Sequence, residues 1–430
     1  MKNWSLIKLG DVMETQKGAA FKSSKYTDAG VPIVRVSDFT DSSISRSQIM
    51  YYSEEDATKF FSYKLSEWDI LIQTVGSWQH NPQSIVGKVV KVPKDLGGSL
   101  LNQNIVKIIP RQEIDKRFLY YRLRDESFKF YNLGCAQGAA NQASITLDSI
   151  RKFEFHLPPI SIQTKIASIL SPYDDLIENN LKRIKLLEEL AQRTYEESFV
   201  KFKVNGEQLE INGETGLPEG WEKKRLDEVA SINSKSVKKD FEGLLKYVDI
   251  SSVSTGRIDS WIEYDFTNAP GRARRIVNHG DIIWSCVRPN RKSYSMIWNP
   301  EINLIVSTGF AVITPISLPS SYLYQFLTTD TFVSYLTNLA TGATYPAVTS
   351  QAFEDAEITI PNRVLVESFD LKFRPSIDLI WNLTKQNQFL KEARDILLPR
   401  LMVGAIDIDR AQEESLAIAA EPKLHYSLKK

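Results

Sequence analysis

Residues 157–203 read LPPISIQTKIASILSPYDDLIENNLKRIKLLEELAQRTYEESFVKFK, and the spacing within them decides how the rest of the chain is organised. Pro158 and Pro159 stop whatever precedes them. Ile166, Ile169, Leu170, Tyr173, Leu176 and Ile177 then fall at helical spacing, and Leu181, Ile184, Leu187 and Leu190 continue the stripe. Glu178, Asn179, Asn180, Lys182, Arg183, Lys185, Glu188 and Glu189 supply the polar face. From Asp174 to Lys203 the pattern predicts about 30 residues of helix, roughly 45 Å at 1.5 Å per residue. A helix of that length cannot bury its stripe against itself. A partner stands at 360–401, IPNRVLVESFDLKFRPSIDLIWNLTKQNQFLKEARDILLPRL. The stripes Ile177-Leu181-Ile184-Leu187 and Ile377-Ile380-Leu390-Leu397 are expected to face each other in an antiparallel coiled coil, with Thr384 and Asn387 as polar interruptions that fix register.

Upstream of the first helix the chain reads as a strand-rich lobe. Apolar runs recur at VPIVRVSDF (31–39), WDILIQTV (68–75), IVGKVVKVP (85–93) and NIVKIIP (104–110). A helical segment from Ile114 and a small polar loop, GCAQGAANQASIT (134–146), follow, and 147–157 returns as a strand. Beyond the helix, residues 205–216 read as a Gly- and acid-rich linker, and then the sequence starts over. WEKKRLDEV at Trp221 repeats WSLIKLGDV at Trp4, with Trp4/Trp221, Leu9/Leu226 and Val12/Val229 in register. GDIIWSCV (280–287) answers WDILIQTV, FAVITP (310–315) answers IVKIIP, and YLYQFLTTDTF (322–332) answers FLYYRLRDESF (118–128). GATYPAVTS answers GAANQASIT, and IPN at Ile360 answers LPP at Leu157. The order never breaks, so the chain is a duplication. The expected fold is α+β: two duplicated strand-rich lobes separated by two long antiparallel helices, with a pseudo-two-fold relation. The expected segments are lobe 1–157, helix 158–204, linker 205–216, lobe 217–360, helix 361–404 and tail 405–430.

Composition excludes little. Of 430 residues 42% are hydrophobic, and 53 basic residues balance 53 acidic ones, so any cationic surface must be local. Cys135 and Cys286 are far apart, which fits a reducing cytoplasm and neither a zinc site nor a disulfide framework. No apolar run approaches the roughly 18 residues of a membrane span, so no membrane partner is expected.

The two repeats part at their loops. The loop around Trp78, GSWQHNPQS (76–84), offers Gln79, His80, Asn81 and Gln83, with Gln73 just before it and Lys88 just beyond. RPNRKSYS (288–295) offers Arg288, Asn290, Arg291 and Lys292, preceded by Arg272, Arg274 and Arg275. Amides and guanidinium forks pair bidentately with adenine and guanine edges, and neighbouring cations neutralise phosphates. Polar loops between strands are also often merely solvated. Asn141, Gln142, Thr344 and Tyr345 in the Gly-Ala loops are further candidates for DNA contact, or the loops need small residues for packing alone.

Catalytic signatures are missing from the sequence. There is neither G-x(4)-G-K-[ST] nor G-x-G-x-x-G, and no Asn/Asp-Pro-Pro-Tyr/Phe string for amino methylation. His80, His156, His279 and His425 are isolated, so no metal set is expected. Asp69 and Asp281, at matching places before apolar strands, read as hydrogen-bonded strand entries, and Trp4 and Trp221 as core anchors. No catalytic residue is assigned.

These motifs resemble the specificity subunit of a type I restriction-modification enzyme. The resemblance is carried by W-x(4)-L-x-x-V opening each lobe, the W/G-D-I-L/I strand, G-A-x-x-x-A before L/I-P-P/N, Q-x-K-I-A-x-I-L (163–170) and L-I-x-x-N-L, over about residues 4–401. In the second helix VLVESFDL replaces Q-x-K-I-A-x-I-L. The resemblance implies a non-catalytic subunit whose lobes are target recognition domains, each reading half of a bipartite site on double-stranded DNA. It implies helices that set the spacer and dock two modification subunits, and restriction subunits that complete the nuclease. S-adenosylmethionine, ATP and Mg would belong to those partners, with no cofactor on this chain, in the cytoplasm. A split-site enzyme and a two-lobed protein-interaction scaffold without DNA readout are the alternatives. Failure to bind S-adenosylmethionine alone separates the first, and steep salt dependence of DNA affinity separates the second.

Overall fold

The computed structural model describes residues 4–41, 43–46, 49–78, 84–138, 142–238, 241–406 and 408. It divides into two units, Met1–Asn179 with Asn387–Lys430, and Asn180–Gln386, so the division passes through both long helices.

In the first unit a four-stranded antiparallel sheet runs Met13–Lys17, Ile105–Pro110, Ile70–Gln73, Val89–Lys91. Its strands Ile70–Gln73 and Val89–Lys91 are buried on both faces because both faces are covered, whereas the edge strand Met13–Lys17 is largely polar. Ile70, Ile72, Val106 and Ile108 join the large core beneath the helices Lys116–Arg124 and Glu126–Cys135. Leu71 and Ile105 point the other way, into a smaller core with Val34, Val90 and Leu101. That second core lies against the sheet Met50–Tyr52, Val31–Val34, Leu100–Leu101. The opening strand Ser5–Lys8 pairs antiparallel with Glu154–Leu157.

The second unit repeats this arrangement, with four strands in its second sheet (Ile262–Asp265, Leu244–Val248, Leu304–Ser307, Ala273–Ile276) where the first unit has three. The sheet Ala230–Ile232, Phe310–Pro315, Ile282–Ser285, Tyr294–Met296 sends Ile282, Trp284, Ala311 and Ile313 to its large core and Ile283, Phe310 and Val312 to the smaller one. Glu222–Arg225 pairs with Glu357–Ile360, as the opening strand does in the first unit. Trp221 is buried in the large core and Trp4 packs on its counterpart, as core anchors should.

Several local expectations change. Residues 85–93 hold a strand at Val89–Lys91 alone, because 85–88 turn. The helix expected from Ile114 is two helices broken at Asp125, whose carboxylate accepts the Ser127 N–H as N-cap of the second. Leu147–Arg151 forms a short helix ahead of the strand Glu154–Leu157. Instead of a bare linker, residues 203–208 form a hairpin closed by Asn205-Gly206, the dipeptide that two-residue turns favour. The tail beyond 408 lies outside the described residues.

The first long helix starts at Ile160, earlier than the stripe count from Asp174, and runs through Pro172 to Tyr195 before a π turn, Glu196–Val200. The second runs Arg363–Met402, through Pro399. Within each unit the segments of the two helices pair antiparallel. In the first unit Tyr173 and Ile177 pack on Leu390 while Asp174 meets Arg394. In the second, Asn180 Nδ2 donates to Gln386 Oε1 at 2.8 Å, and Tyr195 and Phe199 pack on Phe369.

The predicted seam holds at Ile177, Ile184 and Leu187 and fails at Leu181 and Leu190. Leu181, Leu186 and Leu190 are 45%, 64% and 51% exposed, whereas Asn180 is 3% exposed. The buried line is Tyr173, Ile177, Asn180, Ala191 and Tyr195, with Ile184 and Leu187 half-buried on the same heptad face. On the second helix Leu383, Asn387, Leu390, Arg394, Leu398 and Leu401 are buried, and Ile377, Ile380 and Leu397 are half-buried. Asn387 does sit in the seam as expected, and Thr384 donates back to the Ile380 carbonyl at 2.8 Å.

Candidate nucleic-acid interface

The central strand of each main sheet ends in the polar loop that distinguishes one repeat from the other. In the second unit, Ile282–Ser285 delivers the chain to Arg288, and the Gly-Ala loop returns alongside it. Val348 N donates to Cys286 O, Val287 bridges Ala347, and Arg288 N donates to Pro346 O at 2.7 Å. Two loops that lie more than fifty residues apart in sequence thus form one surface. Arg288, itself in the left-handed region (φ 50°), donates through Nη2 to Thr344 O at 2.9 Å and lies 4.3 Å from the centre of the exposed Tyr345 ring. That is a cation–π stack with the ring open to solvent.

The other candidates in this unit differ in how engaged they are. Lys292 (φ 55°) pairs with Asp330 at 2.8 Å. Asn290 and Arg291 are exposed, and their side chains have no hydrogen-bond or ion-pair partner among the described residues. Arg272 reaches Asp249 at 2.7 Å and the Tyr247 hydroxyl at 3.1 Å, which together hold its guanidinium more firmly protonated. Arg274 is half-buried against Phe266 and donates to Ala273 O. Arg275 donates to Asn233 O at 3.4 Å, with its Nε buried and without a partner. So the three arginines at 272–275 act mainly within their own lobe. Tyr247 and Asp249, which hold Arg272, were invisible to sequence reasoning because they precede it by more than twenty residues with no shared motif.

The first unit builds the same junction. Val75–Gly76 pairs antiparallel with Ala143–Ser144, and Ile145 N donates to Thr74 O, the counterpart of Val348 to Cys286. Ser77 and Ser84 share a hydroxyl hydrogen bond of 2.9 Å across the loop. Gln79, His80, Asn81, Gln83 and Asn141 lie outside the described residues. Gln142 is exposed beside the paired strand. Lys88 is half-buried. Burial pushes its ammonium below the usual range, Asp41 opposes that shift, and Arg124 adds to it. This lysine belongs partly to the lobe's interior and is not a simple surface cation.

The paired aspartates prove to be strand entries. Asp69 accepts the Ser66 N–H and two lysines, Lys107 at 2.7 Å and Lys116 at 2.9 Å. Burial pushes its carboxyl up, but those partners outweigh it and hold it below the ordinary range. Asp281 accepts the Asn278 N–H at 2.7 Å, and there burial prevails and pushes the carboxyl up. His279 accepts the Asn299 N–H through Nδ1 and packs tilted against the Trp298 ring at 4.1 Å between centroids, a structural role.

The profile of the type I restriction modification DNA specificity domain matches residues 1–189 and again 218–363, well over half of the chain. The chain belongs to this family. As a type I specificity protein it is a recognition component and not a catalyst. The MjaIX type I specificity subunit of Methanocaldococcus jannaschii is 23% identical over 424 residues, covering 95% of this chain and 94% of its own. The HindI specificity subunit of Haemophilus influenzae is 22% identical over 395 residues, covering 74% of this chain and 84% of its own. The S subunit of a type I restriction-modification system from M. genitalium has the same fold, with a TM-score of 0.52 at 15% identity over 93% of this chain and 96% of that one. Among the described residues no helix is long and apolar enough to cross a membrane.

Proposed function

We propose that each lobe of this specificity protein reads one half of a bipartite double-stranded DNA site through its paired loops, and that the long helices set the unread spacer. One observation carries the reading: in each repeat the variable polar loop is stitched to the Gly-Ala loop by the same backbone bonds. A shared framework presenting two different loop chemistries is what an asymmetric bipartite site requires. In the second lobe Arg291 and Asn290 offer unengaged edges for bases, while the Arg288–Tyr345 stack, with Thr344, forms a platform beside them. Lys292, Arg272, Arg274 and Arg275 support or flank that surface, as Lys88 and Gln142 do in the first lobe. The loop residues Gln79, His80, Asn81, Gln83 and Asn141 complete the first half-site.

The exposed Leu186, Leu190 and Leu371 give the helices apolar surface for docking two modification subunits. Those subunits would methylate with S-adenosylmethionine, and restriction subunits using ATP and Mg would complete a cytoplasmic complex.

The decisive experiment is selection of full-length wild type and Arg291→Ala on a randomised duplex library. Loss of a base-edge contact should weaken binding by about 1–3 kcal/mol, and at one position of one half-site. Equal weakening on every sequence would make Arg291 a phosphate contact, and absence of any sequence preference in the wild type would end the DNA reading.

A further inference from the structure

The first lobe carries two buried amides that its own repeat does without. The helices Lys116–Arg124 and Glu126–Cys135 match Ser320–Thr328 and Asp330–Leu339 residue for residue. Even the Tyr131 hydroxyl's bond to Ser149 O recurs, as Tyr335 to Ala352 O. In that register Asn132 occupies the place of Leu336, and both are 0% exposed. Neither Oδ1 nor Nδ2 of Asn132 has a hydrogen-bond partner. Gln73 likewise ends its strand where Ser285 ends the matching one. Both donate to the carbonyl two residues on, Gln73 Nε2 to Val75 O and Ser285 Oγ to Val287 O, each at 2.9 Å. Gln73 goes further. Its Nε2 also reaches Ser84 O at 2.9 Å, and its buried Oε1 is left without a partner.

These amides press on both stems of the polar loop. A side chain at Gly76 would place its Cβ 2.4 Å from Gln73 Nε2, and one at Gly87 would place it 2.8–3.0 Å from the Asn132 side chain. Gly87 also donates its N–H to Gln73 O and adopts φ +80°. The second lobe keeps the left-handed stem but not the glycine. Gln73 N to Lys88 O matches Ser285 N to Ser293 O, which sets Gly87 opposite Lys292, at φ 55°. There Leu336 fills the core, and Arg288 and Lys292 carry full side chains outward.

A buried polar group without a partner destabilises the fold, and the apolar solution is available in the same chain. We propose that Gln73 and Asn132 are positioning residues for the first half-site. Their amides hold the two stems on either side of the polar loop, 75–77 and 84–87, through the Gln73 bonds to Val75 O and Ser84 O and the close packing of Asn132 on Gly87, at the expense of lobe stability. The inference rests on the reading that the lobes bind DNA.

The test transplants the second lobe's residues, Asn132→Leu and Gln73→Ser, into the full-length chain. Asn132→Leu should raise Tm by about 2–4 °C per orphaned group removed. In selection from a randomised duplex library it should also lower the preference for the first half-site about tenfold or more, with the second half-site unchanged. Gln73→Ser keeps the Val75 contact, loses the Ser84 contact, and should give the same one-sided loss even if Asn132→Leu fails to fold. A raised Tm with an intact first half-site in both variants would overturn the proposal. A wild type without sequence preference would instead overturn the DNA reading on which it rests.

Discussion

Replacing Arg394 by methionine removes a charge from the interior of the first unit while keeping similar length and volume. Arg394 Nη1 lies 2.6 Å from Asp174 Oδ1, and the two side chains are 1% and 4% exposed. Tyr121 Oη donates to the other carboxylate oxygen at 2.9 Å, so the variant leaves a buried carboxylate with one neutral hydrogen-bond donor and only the charges of Arg124 and Lys91 to offset its burial. The second partner of Arg394, Asp395, is 59% exposed and adds little. Breaking one side of such a buried pair costs about 3–5 kcal/mol, whereas replacing both sides with apolar residues is often close to neutral. Asp174→Leu with Arg394→Met should therefore recover most of what Arg394→Met loses.

The loss should depend on pH. Burial pushes the Asp174 carboxyl up, but Arg394, with Arg124 and Lys91, outweighs it and holds the folded-state value below the ordinary one. The pair's contribution is thus complete above the ordinary carboxylate value of about 4, and it disappears as pH falls through the lower folded value. The deficit of Arg394→Met should be largest at neutral pH and shrink toward acid. Because the chain holds two units, hydrogen exchange of the amides of residues 105–109 during urea titration is a cleaner readout than a global transition. A deficit below about 1 kcal/mol at pH 7, or a double variant as unstable as the single, would refute the argument.

Two further outcomes follow from the same organisation. A fragment of residues 180–386 is a contiguous unit and should unfold cooperatively, whereas 1–179 lacks Leu398, Leu401 and Met402 of its large core and should do so only when 387–430 is supplied, as circular dichroism melts would report. Four residues inserted after Leu187 lengthen the first helix by about 6 Å and should extend the unread spacer by one or two base pairs, while seven keep the heptad face and should be better tolerated; an unchanged spacer in methylation maps of a variant that still methylates would remove the helices as its determinant.

What the sequence revealed and what it hid have one physical origin. The duplication was legible because it rests on apolar strands and helix starts, whose patterns are set locally: Ile70 and Ile282, or Phe128 and Phe332, must face a core whatever loops surround them. The helix seam was less legible. Leu181 fits a helical stripe as well as Asn180 does not, and hydrophobicity alone favours the leucine. The asparagine belongs in the seam because Gln386 stands opposite it, a pairing across 206 residues that periodicity cannot express. The same holds at the candidate interface. Arg272 and Arg291 are equivalent as letters, yet one is tied to Asp249 and Tyr247 while the other is unengaged, and only three-dimensional proximity separates them. Asn132 is an intermediate case. Nothing in its own neighbourhood marks it, but the repeat does, because the chain contains its own control in Leu336. In a duplicated protein, departures between repeats at buried positions can therefore be found by aligning the chain to itself. Asn132, opposite Leu336, is the departure of that kind that draws attention to the stems of the first lobe's loop.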